Sequence, residues 1–248
     1  MSNPKKKLLV VVDWFYPGYK AGGPIQSCVN FCIAFNHQYD IYVLTSDTDH
    51  GETMPYKNIQ ANQWLFVPEF GVQVFYASKQ GRSFGALKQV IKTVNADFVY
   101  LNHLYSPRYV IWPFLLKVFG AVKGKLVICP RGALYDSALS VKRYKKAPLL
   151  WVYRRLQIKN KVIFHATNQR EAAAIQQHFP GAQYLIADNL PNLRQDSLQL
   201  IPKEEGHLKI VYIARIVAIK NLQFLLQSLP QLSGQIALTI AGPAEDAA

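Results

Sequence analysis

Short apolar runs alternate with stretches of helical periodicity along most of this chain. Leu8–Val12 is apolar without alternation, which is typical of a strand buried in a parallel sheet. The next apolar positions recur every three or four residues, on one face of a helix that begins near Pro24. These positions are Ile25, Cys28, Val29 and Cys32. The alternation of strand and helix predicts an α/β fold, a Rossmann-like doubly wound parallel sheet.

The later segments repeat this pattern. Further strands are predicted at residues 40–46, 97–101, 125–129, 162–167 and 182–187, and a small hairpin at 64–67 and 72–77. Ser83 is placed to cap a helix that runs to Val94, and Asn168 with Glu171 resembles a capping box. Pro148 is predicted at the start of another helix. Ligands of such sheets bind beyond the carboxyl ends of the strands, so the loops there are the candidate sites.

A polar segment without clear periodicity divides the chain. We predict an N-terminal domain over residues 1–193, a linker over 194–207, and a further β-α-β unit over 208–248. One β-α-β unit does not cover both faces of its own sheet. We therefore expect the last segment to be the incomplete start of a second Rossmann-like domain.

The excess of positive charge lies in the middle of the chain. Of 248 residues, 28 are Lys or Arg and 15 are Asp or Glu, which gives a net charge of +13. Residues 99–187 hold fourteen of the basic residues and two of the acidic ones. This distribution favours an acidic partner, which is a phosphorylated ligand, an anionic membrane or a nucleic acid. A basic face that is only solvated is the alternative interpretation.

Cysteine usage and the apolar runs exclude several classes of protein. Three cysteines without regular spacing exclude a disulfide framework and a four-thiolate zinc site. The apolar run after the N-terminal lysines is shorter than the core of a signal peptide, and residues 109–122 are too few to span a bilayer. We therefore expect a cytoplasmic chain, either free or peripheral on the cytoplasmic face of the membrane.

Three loops carry candidate binding residues. The sequence "YKAGGPIQ" places Gly22 and Gly23 between a strand and a helix, where backbone N–H groups can approach a phosphate, although two glycines before a proline also mark a plain turn. Asn102 and His103 follow the strand at 97–101. Arg131, in "CPRGAL", follows the strand at 125–129 and could hold an anion or be a surface charge.

Two cations flank the corresponding loop of the last unit. In "IARIVAIKN", Arg215 follows a strand and Lys220 falls at the start of a helix, whose own end is partly positive. A diphosphate would justify this concentration of positive charge. Exposed charges without a ligand are the alternative interpretation.

The sequence "VKRYKKAPLLWVYRRLQIKNK" has eight basic residues and no acidic one. Basic residues mixed with Trp and Tyr suit an anionic membrane surface. The residues assigned to this anion patch are Lys142, Arg143, Lys145, Lys146, Arg154 and Arg155. The same mixture could hold RNA, but no RNA-binding motif is recognisable, so we expect no nucleic-acid partner.

Taken together, the motifs resemble the family 4 retaining glycosyltransferases of the two-Rossmann-domain type. The matching pieces run in family order: "AGGP", "PRGAL", "FHATNQREAAAI", "DNLPN", "ARIVAIKNLQFLLQSLPQL" and "LTIAGPAED". The resemblance covers nearly the whole chain, and the last two pieces are its most specific parts.

The resemblance implies roles for the candidate residues. A nucleotide-sugar donor would bind mostly to the second domain, and a glycan or lipid-linked acceptor to the first, across a cleft. Gly22 and Gly23 would approach the donor diphosphate, and Arg215 and Lys220 match the donor-phosphate pair. Arg131 and Asn189 lie in matching cleft loops. The family retains the anomeric configuration and usually needs no metal, so neither a metal nor a cofactor is expected.

Two departures from the family pattern stand out. The family usually has a His after the third main strand, where this chain has Asn102 followed by His103. Both are candidate catalytic residues, because a shift of one residue can turn a side chain to the other face of a strand. Family members also continue past residue 248, with paired glutamates for the sugar and ribose. We therefore expect a truncated glycosyltransferase of weak or no activity.

Two other classes of function compete with this hypothesis. A basic membrane-surface or nucleic-acid-binding module without catalysis would also explain the charged middle third. A nicotinamide dehydrogenase would need the GxGxxG pattern, which the first strand-to-helix loop lacks. The dehydrogenase is therefore the weakest of the three hypotheses.

Overall fold

The structure, a computed structural model, describes residues 4–141, 143–191, 202, 204–217 and 220–244. The chain forms two compact units, residues 1–194 and 195–248, and each is described by itself. Most of the predicted linker, residues 194–201 and 203, lies outside the described residues. Lys142 of the predicted anion patch also lies outside them.

The first unit contains one mostly parallel sheet. Its strands are β1 (Lys6–Val11), β2 (Tyr39–Ser46), β3 (Trp64–Val67), β4 (Val72–Ala77), β5 (Phe98–Asn102), β6 (Lys125–Cys129), β7 (Val162–Ala166) and β8 (Tyr184–Ile186). Their order in the sheet is β3-β4-β2-β1-β5-β6-β7-β8, and only β3 runs antiparallel to its neighbour. The predicted fold class, a Rossmann-like doubly wound α/β sheet, is confirmed.

Helices cover both faces of this sheet. They are α1 (Gly23–Phe35), α2 (Phe84–Val94), α3 (Trp112–Val118), α4 (Asp136–Ser140), α5 (Arg143–Arg155) and α6 (Gln169–His178). A π-helical turn, Pro107–Ile111, leads into α3. The predicted caps of two helices are present: Ser83 Oγ accepts from the N–H of Ala86, and Asn168 Oδ1 accepts from the N–H of Glu171.

Alternation along the central strands divides the core in two. Leu9, Val11 and Leu101 belong to the cluster under α2 and α3, whereas Val10 and Tyr100 belong to the cluster under α1. Because β1 and β5 are covered on both faces, neither strand shows the polar alternation of a half-exposed strand.

Two local predictions need correction. Pro148 lies inside α5, which begins at Arg143 rather than at the proline. The preceding segment is rich in Lys and Arg, which are good helix formers, and Pro at the sixth position removes only one backbone hydrogen bond. The predicted hairpin does form, but β4 also pairs with β2, so the hairpin is the edge of the main sheet rather than a separate element.

The second unit is a single β-α-β arrangement in its described part. β9 (His207–Ile213) and β10 (Gln235–Ala241) pair in parallel, and α7 (Leu222–Ser228) connects them. Gly242 follows β10 at φ 152°, and a Cβ built there would lie 1.8 Å from the carbonyl oxygen of Ala214. This approach between the loops at the two strand ends therefore requires glycine.

None of the helices in the described ranges combines the length and the apolar character that crossing a bilayer requires.

Candidate functional site

The glycine turn before α1 leaves its backbone open. Gly22 has φ 66° and ψ −126°, a conformation that only glycine adopts easily, and α1 begins at the next residue. A Cβ built on Gly22 or on Gly23 would meet no atom of the described residues within 4 Å. A ligand can therefore approach this backbone and the N-terminal end of α1 closely.

Asp49 holds the loop that leads to this turn. Its Oδ2 accepts from the backbone N–H groups of Tyr19, at 2.9 Å, and Lys20, at 3.2 Å. The Asp49 side chain is nearly buried, and Lys20 is also paired with Glu52. Nothing in the sequence singled out Asp49, because a sequence does not show contacts between positions thirty residues apart.

Arg131 joins two other candidate residues. Its Nε and Nη2 donate to Asn102 Oδ1, at 3.3 and 3.0 Å, and its Nη1 donates to Asn189 Oδ1. Arg131 has φ 54°, a left-handed conformation that is strained for a side chain of this size. Three hydrogen bonds to neutral amides fix the guanidinium. None of these three contacts is with a carboxylate, so they do not compensate its positive charge.

A buried carboxylate supports the Arg131 turn from beneath. Glu171 is fully buried, and its Oε1 accepts from the N–H of Gly132 at 2.6 Å. Its Oε2 accepts from both the N–H and the hydroxyl of Thr167, each at 2.7 Å. Glu171 was predicted only as the second half of a capping box. The structure adds that it ties the loop after β6 to the loop after β7.

The loop containing Asn189 is held against α1. Asn30, which is buried on α1, donates to the carbonyl oxygen of Leu190 at 2.9 Å and accepts from Gln26 at 2.7 Å. Nothing in the sequence singled out Asn30, because a polar residue on a helix is usually exposed. Only its burial in the structure shows that it has a positioning role.

These loops enclose a cavity of about 350 Å³ at the carboxyl edge of the sheet. We call it the Arg131 pocket. Its lining residues are Gly23, Pro24, Ser27, Arg131, Gly132, Tyr135, Thr167, Asn168 and Asn189. Three residues predicted from separate loops, Gly23, Arg131 and Asn189, are thus brought together. Backbone N–H groups, a fixed guanidinium and amides are a set of groups that can hold an anionic or hydroxylated ligand.

The two candidate catalytic residues are oriented differently. Asn102 is the last residue of β5, is buried, and contacts Arg131 on the α1 face of the sheet. His103 lies beyond the strand at φ 76° and is exposed. Its Nδ1 accepts from the N–H of Tyr105 at 3.3 Å, so the proton of the neutral ring is on Nε2.

The surroundings of His103 favour its neutral form. The ring is accessible to solvent but closely surrounded by protein, and this desolvation, together with the nearby Lys146, lowers the pKa of His103. The Lys146 ammonium lies 5.4 Å from the centre of the Tyr105 ring. At neutral pH the imidazole is therefore a neutral hydrogen-bond donor through Nε2.

In the second unit, Arg215 follows β9 and Lys220 precedes α7. Lys220 is exposed, and its carbonyl oxygen accepts from the Tyr212 hydroxyl at 3.0 Å. α7 begins at Leu222, two residues after Lys220, and Asn221 caps it in a left-handed conformation. The backbone of Lys220 is thereby fixed, while its ammonium remains accessible.

The described members of the predicted anion patch lie on α5. Exposed aromatic rings stand among them: Tyr144 is 71% exposed and Trp151 is 65% exposed. Arg154 donates to the carbonyl oxygen of His178 and Lys146 to that of Ala138, whereas Arg143, Lys145 and Arg155 extend into solvent. The apolar side of the helix packs on the sheet through Leu150 and Tyr153.

In the described residues, no group of three His, Cys, Asp or Glu side chains is arranged to hold a metal ion.

No protein-family profile and no curated protein sequence matches this chain. Among solved structures, it is similar to a trehalose-6-phosphate synthase from E. coli bound with UDP-2-fluoro glucose, with a TM-score of 0.55 and 12% sequence identity. The alignment covers 97% of this chain and 65% of that protein, so this chain spans about two thirds of its length. At this identity the likeness shows a shared α/β fold, and it says nothing about the activity of this chain.

Proposed function

We propose that this chain is a glycosyltransferase of the retaining family 4 type, which transfers a sugar from a nucleotide-sugar to an acceptor hydroxyl. The observation that carries the proposal is the Arg131 pocket, where the open backbone at Gly23 faces the same cavity as Arg131 and Asn189. The shared fold with a protein that was solved with UDP-2-fluoro glucose supports it.

Each part of the pocket has a role in this proposal. The backbone at Gly22 and Gly23 receives the donor diphosphate, because these positions have open space and begin a helix of thirteen residues. Arg131 and Asn189 receive the reacting end of the donor. A guanidinium held in advance by hydrogen bonds loses no freedom on binding, which favours affinity for developing negative charge.

In the second unit, we assign Arg215 and Lys220 to the donor phosphates. Lys220 is the better test of the two, because its ammonium is accessible and its backbone is fixed. Asn102 acts as a positioning residue for Arg131, and His103 offers Nε2–H to a sugar hydroxyl.

A titration calorimetry experiment with uridine and guanosine diphosphates and their sugar derivatives tests the proposal. We expect binding of at least one nucleotide, weakened about tenfold or more in Lys220→Ala, since a hydrogen bond to a charged group contributes about 1.5–3 kcal/mol. Lys209→Ala is the matched control, an exposed lysine of the same unit, and should bind as the unchanged chain does. Micromolar binding unaffected by Lys220→Ala would refute the assigned phosphate site.

We further propose that α5 contacts an anionic membrane, where a lipid-linked acceptor would be found. Its exposed cations and the exposed rings of Tyr144 and Trp151 are the groups that such an interface favours. The same surface would serve a membrane-binding module without catalysis, which stays the second candidate function.

Vesicle flotation with and without phosphatidylserine tests the membrane contact. Neutralising Arg143, Lys145 and Arg155 to Gln should reduce binding by roughly two orders of magnitude, at about 1 kcal/mol per charge near the surface. Neutralising Lys79, Lys88 and Lys92, three exposed lysines elsewhere, is the control. Equal binding to neutral and anionic vesicles would end this part of the proposal, and membrane binding without nucleotide binding would favour the module.

A further inference from the structure

A second, smaller cavity opens at the carboxyl edge of the same sheet, around Asp13. Its volume is about 140 Å³. We call it the Asp13 pocket. Its lining residues are Asp13, Trp14, Ser46, Arg82, Ser106, Pro107, Arg108 and Tyr109, none of which lines the Arg131 pocket.

The two pockets lie on opposite faces of the sheet. Asp13 accepts from Ser106, which caps the turn that leads into α3, and Arg82, which lines the same pocket, lies just before α2. Asn102 continues the alternation of Tyr100, which packs under α1. The Asp13 pocket is therefore separate from the proposed donor groups, although both pockets open at the edge where α/β sheets bind ligands.

Tyr109 is the residue that points to a ligand. Its side chain is 3% exposed, and among the described residues no group accepts from or donates to its hydroxyl. A buried hydroxyl without a partner is costly, so natural proteins rarely keep one without a reason. Tyr109 lies in the π-helical turn Pro107–Ile111, and such turns occur frequently at functional sites.

The charged groups of the pocket divide into an acceptor and two donors. Asp13 Oδ1 accepts from the Ser106 hydroxyl at 2.6 Å. Arg82 Nη1 donates to Ser46 Oγ at 3.1 Å, and its Nη2 lies 3.6 Å from Asp47 Oδ1, which is too long for a good hydrogen bond. Arg108 is exposed and forms no ion pair or hydrogen bond with the described part of the chain.

Burial raises the pKa of the Asp13 carboxyl, while the Ser106 hydroxyl and the charges of His50 and Arg108 oppose this rise. A carboxylate of raised pKa holds a hydrogen-bonded hydroxyl more strongly than an exposed carboxylate does. Asp13 is therefore suited to accept from a ligand hydroxyl.

We propose that the Asp13 pocket binds a hydroxylated compound that carries an anionic group, a phosphate or a carboxylate. The anion is held by Arg108 and Arg82 and by the Tyr109 hydroxyl, and a neighbouring ligand hydroxyl donates to Asp13. If the proposed function holds, this compound is the acceptor or its anionic end. The binding itself does not depend on that function, because it requires no donor.

Ligand-observed NMR titrations of the full chain, without nucleotide, test the site with glycerol 3-phosphate, glycerate and glycerol. We expect the two anions to bind at least tenfold more tightly than glycerol. Tighter binding of glycerol 3-phosphate assigns the pocket to phosphates, and tighter binding of glycerate assigns it to carboxylates. Equal binding of all three compounds, or no binding of either anion, would overturn the proposal.

Two variants locate the binding. Arg108→Gln and Tyr109→Phe should each weaken anion binding about tenfold. Lys92→Gln, which removes an exposed cation on α2, and Tyr153→Phe, which removes a hydroxyl that donates to the Leu104 carbonyl oxygen at 2.9 Å, are the matched controls and should leave it unchanged. Anion binding that is unchanged in Tyr109→Phe would refute the site.

A thermal-unfolding measurement separates binding from folding. Because the Tyr109 hydroxyl has no partner among the described groups, Tyr109→Phe should unfold at the same or a higher temperature. A lower unfolding temperature with unchanged anion binding would instead give the hydroxyl a structural role and would count against the proposal. Loss of anion binding with nucleotide binding intact would leave the proposed donor site standing.

Discussion

Arg131 in the Arg131 pocket and Arg108 in the Asp13 pocket are held in opposite ways. Arg131 is fixed by three hydrogen bonds to Asn102 and Asn189, on a turn supported by a fully buried glutamate. Arg108 is exposed and contacts no described acceptor. A fixed guanidinium selects one ligand geometry, and a free one adapts to its ligand. In the proposed function, this difference suits a donor in the Arg131 pocket and an acceptor in the Asp13 pocket.

Removing Glu171, which supports the Arg131 turn, should lower stability more than any of the other changes considered. Glu171→Ala leaves the N–H groups of Gly132 and Thr167 and the Thr167 hydroxyl without their buried acceptor. Each unpaired buried donor costs about 1–3 kcal/mol, so the free energy of unfolding should fall by at least about 3 kcal/mol. Urea denaturation measures this fall.

Glu171→Gln is the more specific test. It keeps the volume of the side chain but turns an amide donor toward the donors of Gly132 and Thr167. We expect a loss of about 1–3 kcal/mol. Glu52→Gln, which breaks an exposed ion pair with Lys20, is the control and should cost less than about 1 kcal/mol. A Glu171→Gln variant as stable as the control would show that the buried network does not support the Arg131 turn.

Asn102→Ala should have a smaller effect on stability and a specific effect on Arg131. It removes the acceptor of two of the three hydrogen bonds of the guanidinium, at a cost of about 1–3 kcal/mol. Nucleotide binding should weaken as well, because Arg131 is no longer held in advance. Asn102→Asp keeps an acceptor for Arg131 and should retain stability. A loss of stability as large as that in Asn102→Ala would contradict the positioning role.

Acidification should weaken the fold on the side of the Arg131 pocket. His165 donates to the Ala187 carbonyl oxygen and accepts from the Tyr100 hydroxyl. Burial lowers the pKa of His165; the Ala187 carbonyl opposes this, and Arg131 adds to it. The unfolded chain therefore binds this proton more readily, and stability falls as the pH drops below about 6.5.

The pKa of His178 is also lowered, chiefly by burial, and acts in the same direction. The pKa of Asp13 is raised by burial, so its contribution to the free energy of unfolding depends on pH in the opposite sense. This contribution is fully present below about pH 4 and is lost as the pH rises through the folded-state pKa. Urea denaturation between pH 7.5 and 5.5 should show a falling free energy of unfolding. A constant or rising value would contradict the assigned hydrogen bonds of His165.

Tyr109→Phe should have the smallest effect on stability of these changes. Its hydroxyl has no partner in the described residues, so the free energy of unfolding should stay the same or rise slightly. Tyr153→Phe, measured beside it, should lose about 0.5–1.5 kcal/mol, since it removes a buried hydrogen bond to Leu104. Equal losses of free energy of unfolding in the two variants would show that the Tyr109 hydroxyl contributes to stability as the hydrogen-bonded Tyr153 hydroxyl does, which would contradict its lack of a partner.

The elements of the fold were predictable because hydrophobic periodicity is a local property. Leu8–Val12 and the apolar face at Ile25 and Val29 required only neighbouring residues. The start of α5 was misplaced, because Pro148 was given more weight than the helix-forming Lys and Arg residues before it. The candidate residues came from strand ends, where a parallel sheet binds ligands. The residues that position them, Asp49, Asn30 and Glu171, act over long sequence distances that no local pattern reveals.

The Asp13 pocket shows the same limit. Asp13 follows the first strand, but its partner Ser106 lies 93 residues later, and Tyr109 is placed by a π-helical turn that no periodicity indicates. The sequence shows that the His expected at position 102 is displaced to His103. It does not show how this displacement changes the orientation of the two side chains. Asn102 completes the strand toward Arg131, and His103 leaves it in a left-handed conformation.

Nucleotide-sugar affinity in Arg131→Gln and Arg108→Gln, measured by calorimetry against the unchanged chain, tests whether the Arg131 pocket holds the donor. Both variants remove one guanidinium at the carboxyl edge of the same sheet, one from each face. We expect Arg131→Gln to weaken the binding of the nucleotide-sugar by about tenfold or more, since it removes a charged donor, and Arg108→Gln to leave it unchanged. Equal affinities in the two variants, or a loss confined to Arg108→Gln, would contradict the assignment of the Arg131 pocket to the donor.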